Sequence, residues 1–141
     1  MLLRYLTAYV STAAILFTLD LLWIGRIAAD FYKDGLGPIM LERPNIAVAV
    51  AFYVLYVIGL VLFVVGPALS GGGWRQALLW GALFGLFAYG TYDLTNLATL
   101  RDFPLRVAAV DMAWGTALSG ISAAGGVAVA RWILARLGAE S

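Results

Sequence analysis

Apolar residues fill four long stretches of this chain, and the polar positions gather between them. A bilayer core about 30 Å thick needs ~20 consecutive apolar helical residues to cross it. The pattern predicts membrane helices over residues 5–27, 45–66, 74–98 and 105–130. Punctuation between them fits helix ends. Pro44 suits a helix start, where its missing N–H costs nothing, and Pro67 closes the second stretch. Ser70-Gly71-Gly72-Gly73 makes a flexible turn, and Pro104 opens the fourth stretch. The expected architecture is an all-α, integral membrane four-helix bundle forming one transmembrane domain over residues 1–141.

The connection from Ala28 to Pro44 is different in kind. It mixes Asp30, Lys33, Asp34, Glu42 and Arg43 with Phe31, Tyr32, Leu36, Ile39, Met40 and Leu41. Such a mixture suits a segment in the headgroup layer, where apolar groups bury and charges stay wet. Gly35, Gly37 and Pro38 break it, which predicts a short interfacial helix and a turn between spans one and two. A plain loop over the bundle would read the same way. Arg4 followed by an apolar run resembles a signal peptide, but the run exceeds a typical h-region and no small-x-small cleavage site follows. It reads as an uncleaved first span.

Composition supports the membrane reading. Hydrophobic residues make up 63% and charged residues 12%, against roughly 25% charged in a soluble domain. Nine Lys/Arg against eight Asp/Glu give a net charge of +1, which argues against a nucleic-acid partner. The chain has no Cys and no His, so thiolate metal sites, disulfides and imidazole-held haem, chlorophyll or di-iron centres are excluded. Lys33 is the only lysine and lies in a connection, which rules out a retinal Schiff base at mid-membrane. No cofactor and no metal site is expected.

The candidate chemistry lies in the few polar residues within the spans. Between Gln76 and Ala98 the only acid is Asp93, with Tyr89 one turn before it, Asn96 one turn after it and Tyr92 beside it. Residues three and four apart share a helix face. A carboxylate inside a spanning helix costs roughly 2.5 to 3.5 kcal/mol on insertion scales and normally faces protein or water. Asp20, with Trp23 one turn on, interrupts the first span, and Asp111, with Trp114 one turn on, opens the fourth. If connections one and three lie on one side, all three acids sit roughly 8 to 11 Å in from that side, at ~1.5 Å per residue. Tyr53 and Tyr56 reach a similar depth. The expected functional layer is therefore Asp20, Trp23, Tyr53, Tyr89, Tyr92, Asp93, Asn96, Asp111 and Trp114.

Two readings of that layer stand side by side. Arg26, Arg101 and Arg106 sit at its rim, so it can be a buried ion-pair and hydrogen-bond network that fixes helix register. Alternatively, unpaired acids would hold protons and serve proton coupling or acid chemistry. Gly81 and Gly85 form a GxxxG pair that permits close helix approach, with packing within the chain favoured over a dimer interface.

The stretches Asp20-Leu21-Leu22-Trp23, Phe52-Tyr53-x-x-Tyr56, Tyr89-Gly90-Thr91-Tyr92-Asp93-Leu94-Thr95-Asn96 and Asp111-Met112-Ala113-Trp114-Gly115 resemble the small bacterial membrane-protein family known as domain of unknown function 2177. The resemblance covers nearly the whole chain. It implies the fold and the site positions, no established reaction, and a gene often encoded beside lipid-modifying enzymes of the cyclopropane-fatty-acid type.

Three functions fit these residues. An accessory or ligand-binding protein would use the polar layer on or near membrane lipids, or against another membrane protein or a second copy in a homo-oligomer. A proton-coupled carrier would act as an oligomer, although no inverted repeat or broken half-helix is present, and the D-x-x-W echo in spans one and four is too short to count as a repeat. An intramembrane enzyme would use the three aspartates, without any recognisable metal-ligand spacing. The expected location is the bacterial inner membrane, multi-pass. Basic residues divide four to five between the two sides, Arg4, Arg75, Arg131 and Arg136 against Arg26, Lys33, Arg43, Arg101 and Arg106. The basic end of span four tips the reading to cytoplasmic termini.

Overall fold

The computed structural model describes residues 1–138; the last three positions of the expected 1–141 domain lie outside the described residues. Every regular element among the described residues is helical. Helix α1 covers Leu2–Leu22, α2 Ala29–Leu36, α3 Ile46–Leu60, α4 Gly73–Thr99 and α5 Leu105–Arg136. Three stretches are long and apolar enough to cross a membrane: Leu2–Ile27, Ile46–Thr99 and Leu105–Arg136.

The middle stretch does not run straight. After α3 it continues through two wide π-type turns, Val61–Val65 and Ala68–Gly72, and then breaks at Gly73, where φ is +70°. Only glycine takes that conformation without a steric penalty. Beyond the break the chain folds back. Tyr56 packs edge-on to Phe84 at 5.4 Å and to Tyr89 at 6.3 Å between ring centroids, so α3 and α4 lie side by side. Pro67 does not end its helix, as its sequence position suggests it should. The helix persists to Gly72 because the wide turns flanking the proline relax the ladder around its missing N–H.

Other boundaries shift for local reasons. Asn45 caps α3, its side chain accepting from the Val48 N–H at 3.2 Å, which leaves Pro44 just outside the helix. Helix α5 runs on to Arg136, past the expected end at 130. Its last turns are good helix formers, and Arg136 covers the Trp132 ring at 5.2 Å, so nothing in them breaks the backbone ladder. The connection after α1 contains the expected helix and turn: α2, then a 3₁₀ turn over Gly37–Ile39.

Small residues set the core. A Cβ placed on Gly85 would overlap the Gly115 carbonyl oxygen and lie 2.5 Å from Ser119 Oγ. One on Gly81 would lie 2.8 Å from both Ala123 Cβ and the Ser119 carbonyl oxygen. The GxxxG pair thus brings α4 against the small-residue face of α5 within one chain, and Tyr89 lies flat over Gly115. On the other side of α5, Gly126 admits Thr12 of α1 and Gly125 admits Ile15. Helix α5 is therefore the central element. Leu16, Val57, Leu60, Val65, Leu118 and Val127 fill the remaining volume. The outer faces carry Val10, Leu55, Phe63, Leu79, Phe87 and Ile121 in the open, an apolar exterior far larger than a water-soluble monomer exposes.

The two ends of the structure differ. At one, Arg4 donates to Ser70 Oγ at 2.8 Å and Arg131 to the Ala68 carbonyl at 3.2 Å, gathering the start of α1, the Gly73 turn and the end of α5. At the other, α2 lies on the start of α5, with Gly35 tight against Val107.

Candidate functional site

Beneath α2 the three intrahelical acids converge in two linked centres. Asp20, 5% exposed on α1, accepts from the Tyr53 hydroxyl of α3 and from Trp114 Nε1 of α5 at 2.9 Å. Asp111 of α5 accepts from the Tyr32 hydroxyl of α2 at 2.5 Å, and that hydroxyl accepts in turn from Trp23 Nε1 at 3.2 Å. Burial and the bond to Asp111 hold the Tyr32 proton well above the usual tyrosine range.

The connections between these centres are crossed. Asp20 and Trp23 sit one turn apart on the first helical stretch, Asp111 and Trp114 one turn apart on α5. Each indole serves the other helix's acid: Trp114 reaches Asp20 directly, and Trp23 reaches Asp111 through Tyr32. The two indoles stack with centroids 4.3 Å apart and planes 8° from parallel. Trp23 opens the π-type stretch Trp23–Ile27, closed by the Ala28 N–H on the Trp23 carbonyl at 2.7 Å. That wide turn feeds the chain into α2 and so delivers Tyr32 to Asp111. The D-x-x-W echo is no repeat of the fold, but it is the clasp between α1 and α5.

Asp93 contrasts with both. It has no solvent exposure, and neither carboxyl oxygen receives a hydrogen bond from any N–H or O–H group. The polar group it faces is the Asp111 carboxyl. Two ionised carboxyls offer each other no donor, so the Asp93 oxygens stand buried without one. Tyr89 and Asn96 share its helix face, yet no hydrogen bond joins either to Asp93. Tyr89 instead packs over Gly115, so the helix face shared by Tyr89, Asp93 and Asn96 brings no hydrogen bond to the acid.

The arginine pairing that one of the two readings allowed at the rim is not formed. Asp20 is met by a phenol and an indole, and Arg106 lies over the Phe31 ring at 5.0 Å. Arg26 and Arg101 are exposed to solvent. A guanidinium drawn beside these acids would lose its own hydration, whereas phenols and indoles pair with them at smaller desolvation cost. Among the described residues no three acidic side chains gather as a metal-ligand group.

Asp111 also borders a cavity of about 230 Å³ lined by Phe52 and Tyr56 of α3 and by Ala88, Tyr89 and Tyr92 of α4. Phe52 and Tyr92 stand about half exposed, at 49% and 56%, and form its outer edge on the flank of the bundle. Tyr56 is anchored from behind by a 2.7 Å hydrogen bond between its hydroxyl and Ser119 Oγ.

The structure thus brings together Asp20, Trp23, Tyr53, Asp93, Asp111 and Trp114 in the acid centres and places Tyr89 and Tyr92 on the cavity wall. Asn96 is left half-buried without a bond to any of the acids. Sequence reasoning missed Tyr32 as a partner of Asp111, because an interfacial tyrosine 79 positions away carries no spacing signal. It also left out Phe52 and Tyr56 as cavity residues, though the Phe52-Tyr53-x-x-Tyr56 cluster was a visible signal.

These features define a helical membrane protein with several candidate spans and an acid layer inside them. A family model described as "Predicted membrane protein (DUF2177)" matches residues 5–128, and the chain belongs to that family. No curated protein and no solved structure matches it.

Proposed function

We propose that this protein crosses the membrane four times as a single transmembrane domain and binds a lipid or lipid-like amphiphile at the aromatic cavity beside Asp111. The fold-back at Gly73 divides the Ile46–Thr99 stretch into two helical arms lying side by side, which supports the four-span reading. The observation that carries the binding role is the cavity itself. Its wall is aromatic, its edge at Phe52 and Tyr92 opens on the apolar flank, and its polar floor is one carboxylate. Ligand sites are commonly apolar concavities with a few fixed polar groups. On this reading the protein is an accessory or ligand-binding component acting on or near membrane lipids, in the bacterial inner membrane with both termini cytoplasmic.

The test is photolabelling in native membranes with a lipid carrying a reactive group on its acyl chain. Adducts should concentrate on the peptides holding Phe52 and Tyr92. Label spread evenly around the exposed faces of α1, α4 and α5 would remove the binding role. A reporter fused at the C-terminus checks the topology, and a periplasmic signal would reverse it.

A second reading, a proton-coupled carrier acting as an oligomer, is favoured by one observation: Asp93 is fully buried with no hydrogen-bond donor to either oxygen. In sealed vesicles, substrate-dependent proton uptake that disappears in Asp93→Asn would support it over simple binding.

A further inference from the structure

We propose that the cavity is a receptor for a primary ammonium group, with Asp111 as its counter-ion. The inference rests on the cavity being a lateral ligand site and adds the chemical class of what enters it. Four aromatic rings, Phe52, Tyr56, Tyr89 and Tyr92, surround the space; Phe52 and Tyr56 lie 5.3 Å apart, and Tyr89 stands nearly perpendicular to Tyr56 at 84°. Ring faces attract cations, most strongly where water is excluded. Among the described residues the only formally charged one on the wall is Asp111, and Asp93 is buried near it. Box and floor thus select for positive charge.

Among the described residues no Lys or Arg lines the cavity. Arg106 is engaged over Phe31, and Lys33 is exposed on α2. The cation must come from outside the chain, and its type follows from what the site leaves unmet. A hard divalent ion takes six or more oxygen ligands, and only two carboxyls meet here. A quaternary ammonium would satisfy the rings but offers no N–H. On the wall, Asp111 receives a donor from Tyr32 alone and keeps acceptor sites open. A primary ammonium carries three N–H donors and answers both demands. The ionised Asp111 carboxylate bears one negative charge, so one ammonium neutralises it. The volume of about 230 Å³ accommodates an aminoethyl-sized group but not a two-chain lipid, so the remainder of an amphiphile stays outside the Phe52–Tyr92 edge.

The amine can arrive on a lipid headgroup or as a free molecule, and the experiment separates the two. The full-length protein is reconstituted in phosphatidylglycerol nanodiscs with photoreactive phosphatidylethanolamine, phosphatidylcholine or phosphatidylglycerol, and adducts are mapped on α3 and α4. The ethanolamine lipid should label the cavity about tenfold more than the other two, the scale of one charge-assisted hydrogen bond. Asp111→Asn should erase that preference. Tyr92→Leu, on the exposed edge and away from the core, should reduce it several-fold and carries the test if Asp111→Asn does not fold. Free ethanolamine that competes assigns recognition to the ammonium alone; ethanolamine that does not compete assigns it to the aminolipid. Equal labelling by all three lipids overturns the ammonium proposal while leaving lipid binding intact, and so does a preference untouched by both substitutions. If no lipid labels the cavity, lipid binding falls. The ammonium proposal then stands only on an Asp111-dependent thermal shift by free ethanolamine, and falls without one.

Discussion

Asp20 and Asp93 are the same side chain, both sealed from water in the same layer, and their surroundings could hardly be less alike. Asp20 collects a phenol from α3 and an indole from α5, so three helices meet on one carboxyl. Asp93 collects nothing and faces another acid. A buried polar group with its partners in place holds helices in register, while one without them is a cost that packing alone does not explain. The difference separates two roles within one layer. The Asp20 centre is the clasp of the fold, and the Asp93–Asp111 centre, beside the cavity, is where the molecule keeps unspent polar capacity.

Both centres depend on α4 and α5 being in contact, so the largest effect should come from prising those helices apart. Gly85→Leu puts a branched side chain where a single Cβ already overlaps the Gly115 carbonyl oxygen. Overpacking of this kind costs about 3 kcal/mol or more where backbone must move. The protein should melt far lower in detergent, or fail to assemble, and lose both centres together. An unchanged melting temperature would mean that α4 and α5 do not touch at this glycine.

The next comparison makes one chemical change at two places. Asp20→Asn presents an amide NH2 towards one of the two converging donors, leaving that donor unpaired, which costs about 1 to 3 kcal/mol. Asp93→Asn does the reverse. Its new NH2 can donate to Asp111, supplying a hydrogen bond that two carboxylates cannot make. Stability should hold or rise by about 1 kcal/mol. Equilibrium unfolding of the two variants in matched micelles reads both signs. Two losses of equal size would abolish the distinction between clasp and site.

Part of this was legible before any coordinates. Long apolar runs announced the helices, Gly81 and Gly85 announced a close approach, and counting residues from the helix ends put Asp20, Asp93 and Asp111 at one depth. Which acid would be served was not legible. A span's lipid face and its core face are both apolar, so periodicity, which orients helices in water-soluble proteins, says little about rotation here. Partners 94 and 79 positions apart, Trp114 for Asp20 and Tyr32 for Asp111, depend on that rotation. The wide turn at Trp23 has no signature in composition either, yet it sets where α2 lands. Even the arginines misled for a physical reason: opposite charges nearby in sequence invite pairing, but here phenols and indoles reach the acids more cheaply.

The smallest effect concerns the link between the two centres, the Trp23–Trp114 stack. Trp114→Phe removes a donor from Asp20 and should cost more than Trp23→Phe, which removes a donor only from Tyr32 and leaves the Tyr32–Asp111 bond in place. Each phenylalanine still fills much of the space, so neither change should unfold the protein. The informative quantity is what the double variant loses beyond the sum of the two singles. Parallel indoles 4.3 Å apart should show a coupling of about 0.5 to 1.5 kcal/mol. A double-mutant cycle in denaturant, run at one detergent concentration, measures it. Coupling in that range would mean that the clasp at Asp20 and the site at Asp111 share one rigid connection, so that a ligand pressing on Asp111 is felt at α1. Coupling below about 0.3 kcal/mol would mean that each indole carries only its own hydrogen bond and that the two centres act independently.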